Sequence, residues 1–152
     1  MKLAEALQER ADLTTKISQL QSRLESNATV QEGEKTAENP SELLSELNNS
    51  VERLEYIIAR INISNSCIKV DGKTLTEIIA KKDCLEKKAK VLRGLVYSAS
   101  QTANRASRTE IKILSAVNVP EIQKECDKVA AEIRKLNTVL QQTNWTADLI
   151  EN

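Results

Sequence analysis

Apolar residues recur at alternating steps of three and four along four segments of the chain, and this spacing predicts four amphipathic helices. An average step of 3.5 residues places such side chains on one narrow stripe, which is the pattern of coiled-coil packing. The stripes comprise Leu3, Ala6, Arg10, Leu13, Ile17, Leu20 and Leu24; Leu44, Leu47, Val51, Leu54, Ile58 and Ile61; Leu75, Ile78, Lys82, Leu85, Ala89, Leu92, Val96, Ala99 and Ala103; and Ile122, Cys126, Val129, Ile133, Leu136, Leu140, Thr143, Ala147 and Ile150. We expect about two-thirds or more of the residues to be helical, well above the average for globular proteins.

Capping residues mark where the helices begin. Asn39 followed by Pro40 reads as an N-cap and a proline in the first turn, with a capping-box glutamate following. The same logic recurs at Thr74-Leu75-Thr76-Glu77 and at Asn118-Val119-Pro120-Glu121. The helices should therefore begin near Lys2, Pro40, Leu75 and Val119.

The connections between the helices contain two short β-like runs. Residues 67–70 are followed by Asp71 and Gly72, the preferred pair for a type I′ turn. Ile111 and Ile113 alternate with Glu110 and Lys112, and the run predicts a short strand over residues 111–117. In an up-and-down topology its partner would be residues 28–31, unless another protomer supplies one. The expected fold is mainly α: one domain over residues 1–152, an elongated antiparallel four-helix, coiled-coil-like bundle with short β segments in its connections.

The composition excludes most of the known kinds of catalytic site. Histidine is absent, which excludes Ser-His-Asp and Cys-His catalysis and histidine-ligated zinc. Three glycines, all far apart, cannot form a phosphate-binding loop, and the three cysteines form no C-x-x-C pair. We expect no enzyme, no catalytic or metal-ligating residues and no cofactor. With no secretory signal and no membrane-spanning stretch in view, the cytoplasm is the expected compartment.

Five short sequence motifs are similar to those of a known family. They are Val30-Gln31-Glu32-Gly33-Glu34-Lys35, Arg60-Ile61-Asn62, Asp71-Gly72-Lys73-Thr74-Leu75-Thr76, Glu110-Ile111-Lys112 and Asn144-Trp145-Thr146. Together they resemble, over essentially the whole chain, a family of small bacterial helical proteins without established function, some of which are labelled septicolysin. That label implies a cytolytic toxin, but the sequence offers neither an export route nor a segment able to cover lipid-facing backbone, so the activity is not carried over.

Charge is balanced over the chain but uneven along it. The net charge is zero, yet residues 27–56 hold seven acidic and two basic residues, and residues 81–112 hold nine basic and three acidic ones. We interpret the two stretches as electrostatic neighbours, within the chain or between protomers. The up-and-down topology would bring together a mixed-charge cluster at one end of the bundle. Its members would be Glu32, Glu34, Lys35, Arg105, Arg108 and Lys112. This cluster is the best candidate site, with a salt-bridge network as the simpler interpretation.

The only tryptophan, Trp145, is expected to pack against the Asp71-Gly72 end of the bundle, since a lone tryptophan normally buries its area in its own core. Docking of a ligand or partner on Trp145 is the alternative.

Two hypotheses for function follow. The first is a structural or interaction protein that forms a homo-oligomer, because narrow stripes leave further apolar residues uncovered. Those residues are Leu7, Leu43, Ile57, Ile79, Val91, Leu95 and Val139. The second is a nucleic-acid-associated protein that uses the basic residues 81–112 to contact phosphates.

Overall fold

Four helices dominate the structure. They are α1 (Leu3–Ser26), α2 (Pro40–Cys67), α3 (Leu75–Ala99) and α4 (Val119–Thr146). The structure, a computed structural model, describes residues 1–102 and 111–152, and 73% of these are helical. The mainly α fold is confirmed, and it is consistent with a helical bundle.

The expected capping residues hold the starts of three helices. The Asn39 side chain accepts a hydrogen bond from the backbone two residues on, and Pro40 occupies the first position of α2. Thr74 and Glu77 form a reciprocal capping box at α3. Asn118 Oδ1 accepts from a backbone N–H of α4 at 3.3 Å. These bonds satisfy donors that the first turn of a helix cannot pair internally, which explains why the predicted starts are right.

A two-stranded antiparallel hairpin connects α2 to α3. Strand β1 covers Lys69–Val70 and strand β2 covers Lys73–Thr74. Asp71 and Gly72 both have positive φ, at 50° and 79°, as a type I′ turn requires. The predicted turn is therefore confirmed.

Replacing Gly72 with alanine should lower the free energy of unfolding by about 1 kcal/mol, because a side chain is disfavoured in the left-handed region. The control is Gly94→Ala in α3, where an added Cβ meets no atom within 4 Å. That change should raise the free energy of unfolding by about 0.5–1 kcal/mol through helix propensity. Urea denaturation checks both values, and two changes of the same sign would contradict the assignment.

The predicted strand over residues 111–117 is wrong, as is its expected pairing with residues 28–31, since both segments lack strand structure. The segment instead folds back on the end of α3. The Ser115 hydroxyl donates to the Ala99 carbonyl, and a hollow of about 280 Å³ lies between the last turns of α3 and residues 113–117. Packing against a helix end has replaced pairing between strands.

The described chain divides into two compact units. Unit 1 comprises residues 1–69 and 143–152, and unit 2 comprises residues 70–142. The buried apolar side chains of unit 1 are Leu3, Ala6, Leu20, Leu43, Ile57, Ile61 and Leu149, and those of unit 2 are Leu75, Ile78, Ala89, Cys126, Val129 and Leu140. Neither set contains an aromatic side chain, and all members except Cys126 are aliphatic. The single domain over residues 1–152 stays a prediction.

The predicted stripes match the observed burial on α3 and α4, where every described stripe residue is buried or half-buried. On α1 the match fails only at Arg10, which is exposed. The stripe of α2 is displaced. Its core positions are Leu43, Ser50, Ile57 and Ser64, spaced seven residues apart, together with Ile61 of the predicted stripe, whereas Leu44, Val51 and Ile58 of that stripe are exposed. The core of unit 1 therefore uses the neighbouring column of α2 side chains.

The start of α1 is joined to the segment that follows α4, and we call this contact between residues 1–3 and 147–150 the terminal clasp. Two backbone hydrogen bonds run from Leu3 N to Ala147 O (3.0 Å) and from Leu149 N to Met1 O (2.9 Å). Leu149 is buried between them and the rest of unit 1. The clasp thus pairs backbone groups that a helix end leaves unsatisfied.

Candidate functional site

The acidic part of the predicted mixed-charge cluster lies in the connection between α1 and α2. Asn27 holds this connection: its Oδ1 accepts from Glu38 N at 2.9 Å, and its Nδ2 donates to Arg23 O at 2.8 Å. Between these anchors, Glu32, Glu34 and Lys35 are all exposed. Lys35 lines a hollow of about 320 Å³ together with Val30, Thr36, Asn39 and Pro40. The two glutamates do not line it.

Of the three basic cluster residues that follow α3, the structure describes only Lys112, which is exposed and belongs to unit 2. The other described members, Glu32, Glu34 and Lys35, belong to unit 1. Arg105 and Arg108 lie outside the described residues. The cluster therefore stays a prediction. Among residues 1–102 and 111–152, no group of three or more cysteine, aspartate or glutamate side chains is placed to hold a metal ion.

In unit 1, ion pairs repeat at seven-residue intervals along one side of α1 and α2. Arg53 binds Glu9 through two hydrogen bonds, from Nε (2.6 Å) and from Nη2 (2.9 Å). Seven residues further along α1, Lys16 Nζ lies 2.9 Å from Glu46. Because the partner on α2 moves backward as α1 advances, the two helices are antiparallel. A hydrogen bond from the cation holds the pKa of each glutamate below its usual value, with Coulomb attraction adding to the effect.

Unit 2 repeats this arrangement between α3 and α4. Lys81 pairs with Glu132, and Lys88 Nζ lies 2.8 Å from Glu125. The hydrogen bonds from these lysines lower the pKa of both glutamates. Among the described residues, the ion pairs of residues 27–56 are made with α1, and those of residues 81–102 are made with α4 or within α3. The interpretation of the two charged stretches as electrostatic neighbours, within the chain or between protomers, stays a prediction.

The Glu9–Arg53 pair should make stability depend on pH. Because the folded state lowers the pKa of Glu9 from its ordinary value of 4.5, the pair stabilises the fold above that value and loses its effect as the pH falls through the folded-state pKa. The advantage of the native protein over Glu9→Gln should be at most about 1 kcal/mol at pH 7, since solvent screens the pair, and should vanish in acid. Urea denaturation from pH 7 to pH 2 checks this.

The matched control is Glu25→Gln, which changes an exposed α1 glutamate that forms no ion pair among the described residues. A loss of stability with falling pH that is the same in native protein and Glu9→Gln would contradict the assignment.

One apolar column of α2 remains uncovered, and we call it the α2 column. Leu44, Val51 and Ile58 follow one another at seven-residue intervals and are 50%, 45% and 40% exposed. The sequence places these residues in the core and leaves Leu43 and Ile57 to be covered by another chain, whereas the structure reverses the two columns. The signal in the sequence is the presence of two adjacent apolar columns on one helix.

The observed exposure of the Trp145 side chain differs from the prediction that it is buried. Its side chain is 69% exposed and lies beside the first turns of α1, where it lines a hollow with Met1 and Ala4. The expectation that it packs within a core is wrong, because the last turn of α4 presents Trp145 to solvent while Leu149 fills the buried position that follows. None of the described helices combines the length and apolar composition needed to cross a membrane.

Comparisons with known proteins give a family and a similar crystal structure, both without a known function. No curated protein matches the chain. The crystal structure of a functionally unknown conserved protein from Corynebacterium diphtheriae is similar, with 36% sequence identity, a TM-score of 0.90 and coverage of 99% of each chain. Neither this structure nor the family match supports the label septicolysin. The model of a family of unknown function, DUF6847, matches residues 10–149, and the chain therefore belongs to this family.

Proposed function

We propose that this protein is a non-enzymatic, cytoplasmic helical protein that works as an interaction module by associating with a second copy of itself. The observation that carries the proposal is the α2 column, in which three large aliphatic side chains are 40–50% exposed at a constant spacing. A coiled-coil partner requires this spacing, since one residue in seven returns to the same face of a supercoiled helix. Unpaired thiols at Cys67, Cys84 and Cys126 suit a reducing compartment.

The second copy is the occupant that fits the column best. In a two-fold antiparallel contact centred on Val51, Leu44 of one copy would face Ile58 of the other, so the column is complementary to itself. The column spans about 21 Å at 1.5 Å per residue. The half-buried side chains of Leu47 and Leu54 adjoin it and extend the apolar strip toward α1.

Val51→Lys should abolish self-association, because it places two lysines opposite each other at the centre of the apolar contact. Sedimentation equilibrium should show a dimer for the native protein at micromolar concentration and at least a hundredfold weaker association for the variant. The control is Asn49→Lys, an exposed position on another side of α2, which should leave the dimer intact. A native protein that is monomeric at micromolar concentration, or equal effects of both variants, would contradict the proposal.

Nucleic-acid association through residues 81–112 is the second candidate function. It is favoured by Lys87, Lys90 and Arg93, which form no ion pair among the described residues, and by Tyr97, which is 70% exposed one turn beyond Arg93. Phosphate contacts and base stacking would use these groups. Retention of mixed-sequence DNA or RNA that weakens with salt, and that Lys90→Glu reduces, would favour this candidate. No retention at low salt would exclude it.

A further inference from the structure

The exposed indole of Trp145 and the first three turns of α1 enclose a hollow of about 400 Å³, which we call the Trp145 hollow. Its lining residues are Met1, Ala4, Glu5, Gln8, Glu9, Asp12 and Trp145. All of them belong to unit 1. The volume lies at the small end of the range for ligand pockets and suits one or two side chains rather than a large cofactor.

The indole contributes little to the protein's own core. Tryptophan carries the largest apolar surface of any side chain, and it is enriched among the residues that contribute most to protein–protein binding. At 69% exposure, most of the Trp145 surface is open to a partner. The thioether side chain of Met1, also exposed, adds a second apolar contact at the edge of the hollow.

The polar lining of the hollow is acidic. Glu5, Glu9 and Asp12 follow one side of α1 at steps of four and three, and none of the lining side chains is basic. Arg53 neutralises Glu9. Glu5 accepts a hydrogen bond from Lys2 N at 2.7 Å, and Asp12 accepts one from Gln8 Nε2 at 2.8 Å, so both donors are neutral groups. Glu5 and Asp12 therefore form no ion pair among the described residues.

The unit that contains the hollow also has a negative net charge. Although the whole chain is neutral, unit 1 holds 13 acidic and 8 basic residues, and unit 2 holds 9 acidic and 14 basic residues. The field of unit 1 therefore attracts cations toward the hollow. An anionic ligand would meet both repulsion from this field and uncompensated carboxylates at the contact.

We propose that the Trp145 hollow binds a lysine- or arginine-bearing segment of a partner protein. The aliphatic part of the basic side chain lies against Trp145 and Met1, and its cationic group lies over the indole face, where the ring quadrupole attracts it. Glu5 and Asp12 accept charge-assisted hydrogen bonds from the same segment. This surface is separate from the α2 column, so the proposal stands independently of self-association.

Trp145 is the sole tryptophan of the chain, so the test is direct because no other indole contributes to the emission. The full-length protein is titrated at low ionic strength with a ten-residue peptide of alternating lysine and glycine. A saturable change in emission is expected, with affinity falling at least tenfold in 0.5 M salt. A peptide with glutamate in place of lysine should give no change. Absence of a saturable response to the lysine peptide would overturn the proposal.

A double variant, Glu5→Gln with Asp12→Asn, keeps Trp145 as the reporter and keeps oxygen acceptors for the two existing hydrogen bonds. It should bind the lysine peptide at least tenfold more weakly, with an unchanged circular-dichroism spectrum. The matched control, Glu25→Gln at the far end of α1, should bind as the native protein does. Equal binding by the double variant would overturn the proposal. So would an emission change that depends on protein concentration without peptide, since a second copy would then occupy the hollow.

Discussion

Ile57→Ala is expected to lower the free energy of unfolding by about 2–5 kcal/mol, whereas Ile58→Ala should change it by less than about 1 kcal/mol. The two isoleucines are neighbours on α2 and lose the same atoms. Ile57 is fully buried in unit 1, so its truncation leaves a cavity, while Ile58 is 40% exposed. The difference between the two variants is therefore a measure of which column of α2 faces the core.

Urea denaturation at nanomolar protein concentration, followed by Trp145 emission, measures both values without a contribution from self-association. Retention of helical structure by both variants in the absence of urea is the control. Equal destabilisation would contradict the observed rotation of α2 and would restore the predicted core column of Leu44, Val51 and Ile58.

Leu149→Ala is expected to lower the free energy of unfolding by about 2–4 kcal/mol, because it removes the buried apolar side chain of the terminal clasp. Its backbone N–H also donates to Met1 O, so loosening of the segment weakens the bonds that hold the start of α1. Further along, Ile150 N donates to the buried Ser64 hydroxyl at 2.8 Å. Loss of packing at Leu149 would therefore also weaken the hydrogen bonds of the neighbouring backbone and of Ser64.

The control for this prediction is Asp148→Ala, which removes an exposed ion pair with Lys2 at 2.8 Å. Exposed pairs of this kind contribute little to the free energy of unfolding, because solvent screens the two charges. Thermal or urea denaturation should therefore separate the two neighbours clearly. A larger effect at Asp148 than at Leu149 would show that charge, rather than burial, holds the clasp.

Local sequence was sufficient to predict the helices because their starts depend on residues within one turn. Asn39, Thr74 and Asn118 accept bonds from nearby backbone groups, so no knowledge of the rest of the fold is needed to place them. The turn at Asp71 and Gly72 is local in the same way, since its positive φ values suit these two residue types. Both kinds of signal were confirmed.

The orientation of α2 could not be predicted from periodicity, because Leu43 and Ile57 form one apolar column and Leu44, Val51 and Ile58 form the next. A shift of one residue rotates a helix by about 100°, and both columns satisfy the same seven-residue spacing. The choice is made by contacts with α1, which are distant in the sequence. The uncovered column, and with it the proposed interface, was therefore not foreseen.

The exposure of Trp145 and the path of residues 111–117 depend on long-range placement as well. A lone tryptophan and a run of alternating apolar residues each have a common structural interpretation, core packing and a strand. In this protein Leu149 takes the buried position instead of Trp145, and Ser115 bonds to the end of α3 instead of to a strand. The Trp145 hollow needs residues from both ends of the chain, which no local pattern relates.

The terminal clasp has a consequence for the order of folding. The Lys2 side chain reaches the Thr146 carbonyl across 144 sequence positions, so the clasp must close nearly the whole chain into a loop, against a large loss of chain entropy. Contacts of such separation form after local helix pairing, late on the folding path. Weakening the clasp should therefore accelerate unfolding while leaving the folding rate nearly unchanged. We therefore expect the contact between residues 1–3 and 147–150 to govern the lifetime of the folded state.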